Sequence, residues 1–234
     1  MQFDIITIFP DIFKSYFKES IIKRAQKNGL IKIRIHNLRD FANDRHRTVD
    51  DRPYGGGPGM VVKVEPIVKA ISTLTKSKIS ARGGSAFGGK NQESKIILFS
   101  PTGKQFDNNI ARQLAKNCKQ LILICGRYEG VDARAEKVIK NCKLKIENLS
   151  IGPYILTGGE LAAMILVDVV SRHIPGVLGK QESLEEKRFG PGVPVYTRPE
   201  VFTYKKRKYQ TPKVLLSGHH KKIEEWRQKH IRKQ

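Results

Sequence analysis

Little in this chain suits an oxidising compartment or a membrane. Three cysteines in 234 residues, Cys118, Cys125 and Cys142, form no CxxC pair and leave one over. That excludes a disulfide scaffold and a zinc ribbon, and points to reduced thiols in a cytoplasm. No apolar run approaches the roughly 20 residues of a membrane-spanning helix; the longest candidate, Leu161–Val170, is short and carries Asp168. The start, Met1-Gln-Phe-Asp, lacks the basic opening and cleavage site of a signal peptide. No GxGxxG follows the first apolar run, and Gly55-Gly-Gly-Pro-Gly59 leads into Met60 instead of Lys-Ser/Thr. Neither a dinucleotide fingerprint nor a P-loop is therefore present.

Acidic residues are also scarce, 22 Asp+Glu against 44 Lys+Arg, for a formal net charge of +22. A surface so positive draws in polyanions, with an affinity that falls as salt rises. Nucleic acid is the first partner this implies, and an anionic membrane surface the second. The charge is concentrated at the C-terminus, where residues 203–234 hold eleven basic side chains opposed only by Glu224 and Glu225. Tyr204, Tyr209 and Trp226 lie among them, and rings between cations suit unpaired bases. They also suit a small helical core with solvated lysines around it. With 39% hydrophobic residues, the chain has enough apolar material to build a core.

Periodicity divides the chain into strands and helices. Phe3–Phe9 reads as a buried strand closed by Pro10, and Asp11 caps a helix reaching Lys27, stopped by Asn28-Gly29. Ile31–His36 alternates as a strand with one wet face. Val64–Thr75 reads as a helix and Lys76–Ser94 as a mobile Lys/Ser/Gly stretch. Then strands at Lys95–Ser100, Leu121–Cys125 and Lys145–Ser150 alternate with helices at Lys104–Lys116, Val131–Lys140 and Gly159–His173. Such alternation predicts an α/β layered domain with a mainly parallel sheet. Prolines and glycines mark a linker over 175–199, and a helix is expected from Ser217 onward.

Three loops follow three of these strands: Ser100–Gly103, Gly126–Gly130 and Ile151–Gly159. In open α/β sheets ligands bind outside the carboxyl ends of the strands. Glycines there let main-chain groups approach a ligand closely, and Tyr128, Tyr154, Ile155 and Leu156 offer apolar walls. The combination suits a flat purine. Upstream, Arg39, Arg45, His46, Arg47 and Arg52 alternate with Asp40, Asp44, Asp50 and Asp51. A solvated charge run has this pattern, and so does a loop that sets arginines on phosphates and carboxylates on base edges.

Five stretches are specific enough to name a family: DRHRTVDDRPYGGGPGM (Asp44–Met60), CGRYEGVDAR (Cys125–Arg134), SIGPYILTGGELAAM (Ser150–Met164), VSRHIPGVLG (Val170–Gly179) and YTRPEV (Tyr196–Val201). In order and spacing they resemble the bacterial tRNA (guanine-37-N1)-methyltransferases of the knotted (SPOUT) superfamily over nearly the whole chain. The resemblance implies an α/β fold with a deep trefoil knot over 1–178, an interdomain linker over 179–199 and a short basic helical tRNA-binding domain over 200–234. It implies a cytoplasmic homodimer with active sites at the subunit interface, tRNA as partner and no membrane. S-adenosylmethionine would be the methyl donor, with any Mg²⁺ requirement left open and no metal ligands assigned.

Carried over by position, the donor pocket would use Leu98, Phe99, Ser100 and Pro101, then Gly126 and Tyr128, then Ile151, Gly152, Tyr154, Leu156, Gly158 and Gly159. Arg172 matches the family's catalytic arginine, and Glu129 joins it as a candidate. RNA contacts are expected from Arg45, Arg47, Asp50 and Arg52, and from Lys205, Lys206 and Arg207. The chain departs from the family pattern at the general base, where Lys187 stands in place of an aspartate. Glu186 is the expected substitute and Glu185 the next. Two rival readings remain: a knotted methyltransferase acting on another RNA site, and a non-catalytic RNA-binding protein on the same fold.

Overall fold

The computed structural model describes residues 1–75, 94–179 and 192–231. The chain divides into two compact units, Met1–Val177 and Leu178–Gln234. In the first, the strands are β1 (Gln2–Thr7), β2 (Lys32–Asn37), β3 (Asp50–Asp51), β4 (Val61–Val62), β5 (Ser94–Gln105), β6 (Gln120–Ile124) and β7 (Ile146–Ser150). The helices are α1 (Phe13–Phe17), α2 (Ser20–Lys27), α3 (Val64–Leu74), α4 (Asn108–Asn117), α5 (Ala133–Asn141) and α6 (Glu160–Arg172). Five strands form one sheet in the order β2-β1-β6-β5-β7, and every neighbouring pair is parallel. β3 and β4 form a separate two-residue antiparallel ladder.

Alternation along the strands decides which helices cover which face. Phe3, Ile5, Ile97, Leu121 and Leu123 point into a core shared with α1, α2, α4 and α6. Ile6, Ile96, Ile122 and Ile124 point the other way, into a core shared with α3 and α5. The result is a helix–sheet–helix sandwich with a parallel sheet buried on both sides, the arrangement that crossover connections impose. Among the described residues, no helix is long and apolar enough to cross a membrane.

Three expectations from the sequence are corrected. The helix read over Asp11–Lys27 is a single 3₁₀ turn followed by two helices, with Ser20, the first residue of the second, at φ 47°. A continuous helix that buries Phe13 and Phe17 would turn Ile21 and then Arg24 inward. The break moves the phase by one residue, so Ile22 and Ala25 are buried instead. The helix read from Lys104 starts at Asn108, because Lys104 and Gln105 stay in β5 against Leu149 and Ser150 and Asp107 caps the helix through the amide of Ile110, at 2.7 Å. The C-terminal region is not purely helical. Its second unit contains a hairpin, β8 (Val201–Tyr204) and β9 (Arg207–Gln210), before α7 (Lys213–Leu216) and α8 (His220–Lys229). The stretch read as mobile over Lys76–Ser94 lies outside the described residues, Ser94 excepted, as do residues 180–191 of the linker expected over 179–199.

Candidate active site

β5 lies between β6 and β7, and its irregular stretch after Phe99, together with the loops that follow β6 and β7, borders a cavity of about 320 Å³. That volume falls within the usual range for small-molecule sites. Leu98, Phe99, Ser100 and Pro101 come from β5 itself: the loop expected over Ser100–Gly103 is a break in register inside that strand, between Phe99 and Lys104, after which Lys104 and Gln105 pair with β7 again. Gly126 and Tyr128 come from the loop after β6, and Ile151, Gly152, Tyr154, Leu156, Gly158 and Gly159 from the loop after β7. All twelve residues assigned to the donor pocket thus line one cavity. Arg127, Ile155, Thr157 and Ala162 line it too.

Close backbone approach explains the glycines. A Cβ on Gly159 would sit 2.7 Å from the Cα of Cys125, and its amide donates to the carbonyl of Gly126 at 2.9 Å. Gly103 is pressed as tightly against the main chain of Asn148 and Leu149. Arg127 and Gly158 form an isolated antiparallel bridge between the second and third loops. Tyr128 adopts φ 56°, a left-handed conformation that costs a non-glycine residue free energy and persists where its surroundings fix it. Here the flanking bonds do so: Glu129 N–H donates to the Met60 carbonyl at 3.1 Å and Gly130 N–H to the Arg127 carbonyl at 2.9 Å.

Beneath the loops lies a polar knot of side chains that the sequence reading missed. Glu160, the first residue of α6, is 2% exposed. One of its oxygens accepts from Thr7 Oγ1 at 2.8 Å and the other from Arg127 Nε at 3.1 Å. Arg127 also donates to the Thr157 carbonyl at 3.3 Å and stacks its guanidinium on Phe9, 4.6 Å from the ring centre. The end of β1, the second loop, the third loop and α6 are thereby fastened together. A buried carboxylate needs such partners. Burial, then the neighbouring Glu160 charge, pushes the Cys125 thiol well up, with Arg127 opposing, so Cys125 stays a neutral packing residue. The sequence signal for this network was an acid at the first position of a mainly apolar helix.

The catalytic candidates are not gathered in one place. Glu129 lines the cavity and also borders a second groove of about 1070 Å³ with Asp44, Arg52, Tyr54 and Arg134. The loop Gly55–Gly59 reaches Glu129, since a Cβ on Gly59 would fall 2.5 Å from the Glu129 Oε1. Arg172 does not line the cavity. It ends α6, whose other end is at the cavity, so the helix rise puts it about 18 Å away along the axis. Glu185, Glu186 and Lys187 lie outside the described residues. Arg45 and Arg52 are exposed, Arg47 pairs with Asp40 at 3.4 Å, and Asp50 is half-buried in the β3–β4 ladder. Lys205, Lys206 and Arg207 are exposed on the hairpin of the second unit. Among the described residues, no three His, Cys, Asp or Glu side chains gather as a metal site would require.

Comparison with known proteins gives the family. The family model for tRNA (Guanine-1)-methyltransferase TrmD matches residues 1–234. A tRNA (guanine-N(1)-)-methyltransferase of Thermomicrobium roseum is 50% identical over 231 residues, covering 97% of this chain and 77% of the relative. The protein of that name from Dictyoglomus turgidum is 48% identical over 232 residues, covering 98% of this chain and 84% of the relative. One from Carboxydothermus hydrogenoformans is 46% identical, with 98% and 82% covered.

Proposed function

The chain belongs to the tRNA (guanine-1)-methyltransferase family, and from that premise we propose that it methylates N1 of guanosine 37, immediately 3′ of the anticodon, in the cytoplasm. The observation that carries this reading is the single cavity at the strand ends, lined by all twelve residues assigned to the donor. Its residues fit S-adenosylmethionine: glycine main chain for the hydrogen bonds of a purine, and the rings of Tyr128 and Tyr154 with Leu156 for its faces. When bound, this donor supplies a methyl group activated on a sulfonium. Three free cysteines support a reducing compartment.

The residues of the chain then have three tasks. The cavity would hold the donor so that its methyl is presented to guanine N1, which would substitute for much of the entropy of encounter. A carboxylate takes the N1 proton, because the lone pair that attacks is not free until that proton leaves. Glu186 is our first assignment, Glu185 the next, and Glu129 the described carboxylate at the cavity. A cation offsets the charge that develops on O6, and Arg172 suits it, since a guanidinium stays protonated and donates in a fixed fork. The bond formed is N1–carbon and the bond broken is carbon–sulfur.

Because Arg172 stands at the far end of α6 from the cavity of its own chain, we assign that cation to a second copy, in a homodimer whose sites straddle the interface. The bridge between Arg127 and Gly158 and the close passage of Gly159 across Cys125 support a threaded, knotted arrangement of the loops. Residues 1–178 would form the methyltransferase domain and 200–234, joined by 179–199, the tRNA-binding part. Arg45, Arg47, Asp50 and Arg52 would contact RNA beside the cavity. The test is to map the methylated nucleotide in tRNA transcripts carrying G or A at position 37, with and without a chelator to read any Mg²⁺ dependence. N1-methylguanosine at 37 alone is the expected result; label elsewhere, or none, overturns the assignment.

A further inference from the structure

In the hairpin of the second unit, Phe202 stands opposite Tyr209 and Tyr204 opposite Arg207. Side chains alternate between the two sides of a strand, so these four share one face while Thr203 and Lys208 share the other. Phe202, Tyr204 and Tyr209 are 56%, 55% and 53% exposed. Three large rings left open on one small face are unusual for a free surface and mark a contact site. The rings already keep company. Phe202 lies nearly parallel to Tyr204, at 9° with centroids 6.5 Å apart, and 6.4 Å from Tyr209.

The turn adds charge. Lys205 and Lys206 occupy it with φ 44° and 63°, and Lys205 Nζ lies 5.6 Å over the Tyr204 ring. With Arg207 and Lys208 that makes four adjacent cations, and no carboxylate occurs between Val201 and Gln210. An aromatic face beside a turn of cations, with Glu200 as the one acid at its far end, is complementary to a ligand that pairs flat π-surfaces with a polyanionic backbone. Trp226, which the sequence grouped with these rings, is engaged differently, stacked on His230 at 4.2 Å and edge-on to Tyr196 at 6.3 Å.

We infer that Phe202, Tyr204 and Tyr209 form a stacking platform for about two to three unpaired nucleotides of the RNA substrate, with the Lys205-Lys206 turn on the neighbouring phosphates. This rests on the reading of tRNA as substrate and adds to it a site for single-stranded bases. Stacking tolerates any base, so the platform reads the absence of pairing and not the sequence.

The experiment uses the full chain and two labelled RNAs of equal length, a stem–loop and a fully paired duplex, with affinities read by fluorescence anisotropy. Phe202→Leu, Tyr204→Leu and Tyr209→Leu should each weaken stem–loop binding by roughly 5- to 100-fold and leave duplex binding unchanged. Tyr204→Trp should keep it. In methyl transfer the leucine variants should raise KM for tRNA more than they lower kcat. Unchanged stem–loop affinity in all three overturns the platform, as does an equal loss on both RNAs. A change in the mass of the free protein on sedimentation also overturns it, by showing that a second copy covers the face. Wild-type protein that grips the stem–loop but transfers no methyl leaves the platform standing and refutes the function proposed above. Wild-type transfer with unchanged KM in all three variants does the reverse.

Discussion

In Met1–Val177 a five-stranded sheet buries aliphatic side chains on both faces, whereas no described residue of Leu178–Gln234 is buried. Each fully buried isoleucine or leucine of the sheet contributes roughly 1.5–3 kcal/mol, so the loops at the strand ends are held by a large and redundant set of contacts. The second unit has instead a cleft lined by Val195, Tyr196, Leu215, Leu216 and Ile223, and a hairpin exposed along its whole length. Methyl transfer needs positions fixed to a fraction of an ångström, and gripping an RNA backbone does not. On the reading proposed above, the first task would fall to the packed part and the second to the open part.

The largest effect that would sharpen this contrast is expected at Gly159. Its Cβ would meet main chain, not a movable side chain, so Gly159→Ala should lower methyl transfer by roughly 100-fold or more and abolish donor binding in calorimetry. Its RNA affinity should stay intact. Retained donor binding would mean that the loops are less tightly fixed than the sheet beneath them.

Glu160→Ala should come next. It strands Arg127 and Thr7 in a largely buried setting, and a loss of about 2 kcal/mol is expected in urea unfolding, accompanied by weaker donor binding. An unfolding curve that does not move would show that the Glu160–Arg127–Thr7 network carries little of the stability of the site.

Smaller effects are expected in the open unit. Lys205→Gln with Lys206→Gln should lower the slope of log affinity for tRNA against log salt by about 1 per lysine, without touching donor binding. A slope that stays the same would remove the turn from the RNA contact.

The smallest effect concerns acid stability of the packed unit. Burial alone would raise the Asp4 carboxyl, but hydrogen bonds from His36, Gln120 and Gln2 outweigh it and hold it below its ordinary value. A depressed carboxyl contributes stability that is fully present above the unfolded pKa and is lost as pH falls through the lower folded one. Thermal melts should therefore decline on acidification through the carboxylate range, and Asp4→Asn should flatten that decline. An identical decline in the variant would assign it to other carboxylates.

The contrast also explains what could be read from residues alone. The pocket was legible because turn-forming glycines follow apolar runs and the parallel sheet fixes where they meet, although the first of the three segments proved to be an irregularity within β5 and not a loop after it. The hairpin was not legible, because its turn is Lys205-Lys206, both left-handed, where asparagine or glycine would have signalled it. The break at Ser20 was hidden because Lys18–Ile21 carries neither glycine nor proline to mark it. The Thr7–Glu160 bond joins residues 153 apart in sequence, a distance over which periodicity carries no information. Arg172 was legible as a residue type but not as a position, since only the length of α6 separates it from the cavity of its own chain.

That separation offers the most direct test of the account. Mixed dimers of Gly159→Ala and Arg172→Ala chains, each inactive by itself, contain one intact cavity facing one intact arginine if the cation comes from the partner. The account predicts that mixing the two inactive proteins restores methyl transfer to guanosine 37; a mixture that stays as inactive as its parts would contradict it.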